Sequence, residues 1–90
     1  MLRINPTEDA KKCTDCLPAK QQKQIARKLL ELCLDPFPPN AKKMAGSDED
    51  WRIKAGEFRI IYRVGKNELL ILVIGRRNDV YKIYENKYKT

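Results

Sequence analysis

Residues 51 to 63, Trp-Arg-Ile-Lys-Ala-Gly-Glu-Phe-Arg-Ile-Ile-Tyr-Arg, decide the fold. The stretch reads as a two-stranded hairpin. Ala55-Gly56-Glu57-Phe58 makes the turn, and Gly56 supplies the positive φ that a tight hairpin needs. Lys54 then falls opposite Arg59, Ile53 opposite Ile60, Arg52 opposite Ile61 and Trp51 opposite Tyr62. Side chains alternate faces along a strand. Trp51, Ile53, Phe58, Ile60, Tyr62 and Val64 therefore share an apolar face, and Arg52, Lys54, Arg59 and Arg63 share a basic one. Like charges directly opposite on a sheet are destabilising. Setting Lys54 against Arg59 makes best physical sense if an anion sits between them.

Working outward, Gly65-Lys66-Asn67 is a second turn signal. Glu68 to Ile74 reads as a strand buried on both faces. Pairing Val64 with Glu68 sets Arg59 against Val73 and Glu57 against Gly75, so Gly75-Arg76-Arg77 leaves the sheet beside the Lys54/Arg59 end. Asp79 to Tyr84 follows as a helical turn or short tail. Upstream, Leu2-Arg3-Ile4 reads as a short strand. Asn5 is the expected cap of a first helix, with Pro6 at its first position and Glu8 in its first turn. Ala10, Cys13 and Leu17 fall on one face of it, and Pro18 ends it or begins the next. Ile25, Ala26, Leu29, Leu32 and Cys33 recur at helical spacing within a second helix over 19–34, with Lys20, Lys23, Arg27, Lys28 and Glu31 mostly outward. Asp35-Pro36 closes that helix, and 37–50 is a proline-rich polar connection containing Lys42 and Lys43. The expectation is one domain over 1–90 of class α+β: two N-terminal helices packed on a small antiparallel sheet.

The chain has 90 residues, 42% hydrophobic and 34% charged, with a net charge of +7. Residues 1–50 carry 9 Lys/Arg against 8 Asp/Glu, whereas residues 51–90 carry 10 against 4. A basic half beside a near-neutral half suggests a polyanionic partner, most simply nucleic acid; the plain alternative is a solvated basic surface. The N-terminus shows no apolar leader, and the longest apolar run, Leu69 to Ile74, is too short to span a bilayer. A cytoplasmic protein without membrane contact is expected. Three cysteines do not suggest a disulfide framework. Cys13-Thr14-Asp15-Cys16 alone, in a chain without histidine, is a weak zinc signal, so the cysteines read as packing residues or incidental thiols, and neither metal nor cofactor is expected.

The lack of histidine excludes Ser-His-Asp and Cys-His nucleophilic sets. The acids of residues 51–90 are scattered, and no P-loop or GxGxxG is present. What remains is a set of cations and one tyrosine suited to an anionic substrate: Arg52, Lys54, Arg59, Arg63, Arg76, Arg77 and Tyr81. Arginine offers phosphate a planar fork. Lysine crowded by other cations can give up its proton and act as a base. Tyrosine can stack on a nucleobase.

Taken together, the A-x2-C-x3-LP start, a helix, an L-x-P region, a glycine-containing loop, the stretch 51–63, a buried strand and Arg76-Arg77-Asn78-Asp79-Val80-Tyr81 resemble the RelE/ParE family of toxins. The resemblance covers nearly the whole chain; its specific parts are 51–63 and 76–81. It implies a compact α+β fold and an antitoxin partner. Members similar to RelE cleave mRNA in the ribosomal 30S A site without a metal, and those similar to ParE poison DNA gyrase. Residue by residue, Arg52 and Lys54 match two basic positions of the RelE-type site, the first usually lysine there. Arg59 matches its transition-state arginine, Arg77 or Arg76 the later arginine, and Tyr81 the tyrosine near the C-terminus. The favoured expectation is a ribosome-dependent mRNA endoribonuclease: Lys54, Arg59, Arg77 and Tyr81 catalytic, with Arg52, Arg63 and Arg76 binding phosphate. The alternative is a non-enzymatic toxin acting on gyrase. The antitoxin is expected to cover the basic face, where Ile61, Ile71 and Val73 would offer a partner helix apolar surface, or to displace residues 80–88.

Overall fold

The computed structural model describes residues 1–76 and 79–89. In chain order the elements are β1 (Arg3–Pro6), α1 (Glu8–Asp15), α2 (Ala19–Leu34), β2 (Lys42–Lys43), β3 (Asp50–Ala55), β4 (Phe58–Gly65), β5 (Glu68–Arg76) and α3 (Asp79–Lys87). The strands form one sheet in the order β1-β5-β4-β3-β2, with β1 parallel to β5 and the other pairs antiparallel. The class is α+β, as expected, with two more strands than the meander and a third helix.

The β3–β4 hairpin has the expected register, with Lys54 opposite Arg59 and Trp51 opposite Tyr62. Gly56 turns it at φ +63°. Its apolar face carries Ile53, Phe58, Ile60 and Tyr62, all buried against Ile25, Leu32 and Cys33 of α2 and Ala10 of α1. Burying a side chain of this size is worth about 1.5–3 kcal/mol, so this layer holds the helices down. Ala26 departs from its expected place and is exposed.

Three local expectations are corrected. Asn5 and Pro6 do not start the first helix; they pair with Leu70 and Ile71 as the end of β1. Thr7 is the cap, its hydroxyl accepting from the Ala10 amide at 3.3 Å and donating to the Leu72 carbonyl at 2.6 Å. The β4–β5 register is also shifted. Only Lys66 and Asn67 form the loop, with Asn67 at φ 58°, so Gly65 rather than Val64 meets Glu68. A β-bulge between Ile61 and Tyr62 then skips Leu72, so Arg59 faces Gly75 and Phe58 faces Arg76. Finally, Ile61, Ile71 and Val73 do not form an open apolar surface. Ile71 lies on the α1/α2 side, while Ile61, Leu72 and Val73 are buried beneath Val80 and Tyr84 of α3.

Thus α1 and α2 cover one face of the sheet and α3 covers part of the other. Gly75 permits the close approach of α3, since a Cβ there would stand 2.8 Å from Val80 Cγ1. Among the described residues, no helix is long and apolar enough to cross a membrane.

Candidate functional site

The part of the sheet that α3 leaves open holds a cavity of about 680 Å³ lined by Asn40, Lys42, Arg52, Ile53, Lys54, Arg59 and Tyr81. Volumes of this order suit small-molecule or nucleotide-sized ligands. Four of the seven expected site residues meet here. β3 presents Arg52 and Lys54 because strand alternation sends Ile53 to the core. β4 presents Arg59, opposite a glycine that fills no space. α3 brings Tyr81, whose hydroxyl accepts from Arg52 Nη1 at 3.3 Å while the Arg52 guanidinium lies 5.7 Å from the ring centre. That contact sets the planar Arg52 guanidinium, on an exposed side chain, against the ring.

Two like-charge pairs frame the cavity. Lys54 is directly opposite Arg59, and Lys42 directly opposite Arg52. Opposed side chains in an antiparallel pair have Cβ atoms about 4.5–5.5 Å apart, so each pair costs stability until an anion enters. No carboxylate among the described residues lines the cavity. Among the described residues, Arg52, Lys54 and Arg59 enter no salt bridge.

Arg63 and Arg76 stand apart from this cavity. Arg63 is on the basic face but is committed to Asp50, with Nε to Oδ1 at 2.6 Å and Nη2 to Oδ2 at 3.1 Å. Asp50 is 1% exposed and also accepts from the Tyr84 hydroxyl at 2.6 Å. Burial alone would raise its pKa, but the Arg63 and Tyr84 hydrogen bonds outweigh burial and hold it below the ordinary carboxylate value. Arg76 follows its partner Phe58 to the other face, 5.4 Å from that ring, and pairs with Glu57 at 3.3 Å. Arg77 lies outside the described residues.

Sequence reasoning missed three participants. Lys42 and Asn40 lie in what reads as a connection, and a two-residue strand leaves no periodic trace. Asp50 did leave a signal: carrying the hairpin register one pair further sets it against Arg63. No group of three or more His, Cys, Asp or Glu able to hold a metal is found among the described residues.

Fold and cavity define a small basic α+β domain with an anion-ready site on its sheet. The family model described as the ParE toxin of the type II toxin–antitoxin system parDE matches residues 7–81. A RelE-like toxin protein of Escherichia coli is 34% identical over an alignment of 88 residues that covers 91% of this chain and 92% of the relative. The toxin RelE1 of Methanocaldococcus jannaschii is 32% identical over an alignment of 71 residues that covers 73% of this chain and 79% of its own. The chain belongs to the RelE/ParE family of toxins of toxin–antitoxin systems. Its fold is also that of solved family structures. The isolated E. coli RelE toxin superposes with a TM-score of 0.74 at 22% identity, over 97% of this chain and 98% of that one. RelE in the archaeal RelE–RelB complex of Pyrococcus horikoshii gives 0.74 at 21% identity, over 87% and 97%.

Proposed function

We propose that this toxin is a metal-independent endoribonuclease that cuts mRNA on the ribosome. The observation that carries the reading is the carboxylate-free cavity with Arg52, Lys54, Arg59 and Tyr81 around it. Lys54 takes the proton of a ribose 2′-hydroxyl, whose oxygen attacks the adjacent phosphorus in line. The bond from phosphorus to the 5′ oxygen breaks, leaving a 2′,3′-cyclic phosphate. The departing oxygen takes up a proton to become a 5′-hydroxyl, with Arg77 assigned to its charge. Arg59, helped by Arg52, stabilises the extra charge of the phosphorane; preorganised charge of this kind is usually the largest single contribution to catalysis. Tyr81 stacks on a base and so sets the register of the strand.

The same reading includes an antitoxin. RelE is known in complex with RelB from P. horikoshii and E. coli. In this chain the apolar surface that suits a partner helix is already occupied by α3, so an amphipathic antitoxin segment must either seal the cation-lined cavity or replace α3 over Ile61 and Val73.

The rival reading is a toxin that binds DNA gyrase without chemistry, and the match to the ParE family model favours it. One experiment separates the two. The 5′ ends of a reporter mRNA are mapped in a translation extract supplied with the protein. Cuts within codons that vanish with Arg59→Ala support the ribonuclease. Intact mRNA together with gyrase-linked DNA breaks supports the rival.

A further inference from the structure

A second cavity, of about 550 Å³, lies around the edge of the sheet between α2 and the β3–β4 turn. Its walls carry Lys20, Lys23, Arg27 and Lys28 of α2, and Lys54. Lys20, Lys23 and Arg27 fall on one stripe of the helix at spacings of three and four, with Lys28 next to Arg27. From Lys20 to Arg27 the stripe runs about 10 Å along the axis. Glu31, also in the lining, neutralises Lys28 at 3.6 Å. Among the described residues, Lys20, Lys23 and Arg27 enter no salt bridge.

Lys54 lines both cavities. The topology explains how. β2 pairs only with Trp51 and Arg52, so β3 beyond Arg52 is a free sheet edge. A lysine on an open edge is a common guard against strand pairing, and that is the plain role of Lys54 if the groove is empty surface. The guard role does not account for a row of cations on the facing helix.

The geometry points to one continuous track for single-stranded RNA: the ribose–phosphate backbone passes from the cation-lined cavity over Lys54 and around the sheet edge into the α2 groove, which holds phosphates of nucleotides flanking the one at the site. The inference rests on the ribonuclease reading and adds to it a substrate of several nucleotides, bound by charge without base readout. An acidic protein segment is the competing occupant. RNA is favoured because the groove continues into the candidate site through a shared residue. The exposed apolar residues of α2, Leu30 and Leu34, which an amphipathic partner helix would seek, are not in its lining.

The test uses the purified chain and fluorescent 2′-O-methyl RNA, which keeps its phosphates but lacks the attacking hydroxyl. A trinucleotide and a dodecanucleotide are titrated by anisotropy between about 50 and about 200 mM salt. Lys23→Gln with Arg27→Gln removes two exposed cations that play no part in the chemistry. Each phosphate contact on a single strand contributes about 0.7 to the slope of log K against log salt, so the double variant is expected to lose about 1.4 from the slope on the dodecamer. Trinucleotide affinity should stay unchanged. A wild-type slope on the dodecamer overturns the track and leaves the cleavage reading to its own mRNA test. Equal losses on both RNAs overturn it as well, because they signal a general charge effect. So does polyglutamate that displaces the dodecamer at equal concentration and loses its own binding in the double variant, which assigns the groove to an acidic peptide. Thermal melts of the variant confirm that it is folded.

Discussion

Asp50→Asn tests how the fold holds its third helix at the site. The carboxylate is 1% exposed and accepts from both Arg63 and Tyr84, so one residue ties β3, β4 and α3 together. Asparagine keeps the volume but removes the charge, and its amide nitrogen sets a donor against a donor. Breaking a buried ion pair costs about 3–5 kcal/mol because the partner charge is stranded. Arg63 is only partly stranded here: its side chain is 28% exposed and Glu49 stands 3.6 Å away. A discounted cost of about 2–3 kcal/mol follows. At about 4–8 °C per kcal/mol for a domain of this size, Tm should fall by about 10–20 °C. The loss should be uneven, because Tyr84 is one of two buried residues that anchor α3. Circular dichroism melts give the Tm, and amide hydrogen exchange shows where protection is lost. Residues 79–87 should exchange faster relative to β4 and β5, and Tyr84→Phe should be non-additive with Asp50→Asn. A Tm within about 2 °C of wild type, or a lower Tm with unchanged relative protection of α3, would refute the reasoning.

Four more outcomes are expected. Arg59→Ala should lower mRNA cleavage by about 10²–10³ without lowering Tm, since it relieves repulsion with Lys54; a folded variant that cuts at the wild-type rate removes Arg59 from the chemistry. Gly56→Ala should cost about 1–2 kcal/mol in a denaturant melt, because only glycine takes a left-handed conformation freely. A Cβ there would also meet the flexible Gln24 amide, but Gln24→Ala should not rescue the variant if backbone conformation sets the cost. In acid, Asp50 and Asp9 both have folded pKa values below 3.8, the latter through hydrogen bonds from Tyr88 and then Lys87. Their contribution is therefore complete above that value and is lost as the pH falls through the lower folded values. Tm should drop below about pH 4, less steeply in Asp50→Asn than in wild type; equal acid limbs would count against the latch. At the alkaline end burial pushes Tyr62 up to about 12. Stability should fall between about pH 10 and 12 as the unfolded chain loses that proton first.

The hairpin was legible because three signals agree there: alternation, turn glycine and strand length. Its register followed, and with it the shared face of Arg52, Lys54 and Arg59. β5 was harder for a definite reason. A central strand buried on both sides has no alternation, so nothing in Leu69 to Ile74 pins the register. The bulge at Leu72 was invisible, and parity past it sends Arg76 to the far face. The strand at Leu2-Arg3-Ile4 was legible and only its extension through Asn5 and Pro6 was missed, whereas β2, two residues long, is too short for any period. α3 hides its anchors as Val80 and Tyr84, an apolar pair at one-turn spacing in which the tyrosine reads as polar until its hydroxyl finds Asp50. Tyr81 entered the candidate set by its chemistry and was matched to a position by family resemblance, but no local pattern says that this tyrosine turns toward Arg52.

What the acids do explains why the cavity stays positive. Each carboxylate on the three central strands and in the β3–β4 turn has a partner of its own. Asp50 holds Arg63 and Tyr84, Glu57 holds Arg76, and Glu68 accepts from Asn5. None lines the cavity, and two cross-strand pairs of like charge remain there. A sequence selected only for stability would place an acid opposite Lys54, since opposite charges across strands contribute about 0.2–1 kcal/mol and like charges oppose folding. The fold instead meets its stability needs on the helix-covered face and in the Asp50 latch. The repulsion among Arg52, Lys54 and Arg59 is thereby left for an incoming anion to relieve; on the proposed ribonuclease reading that relief is greatest when the phosphate carries the extra charge of the phosphorane.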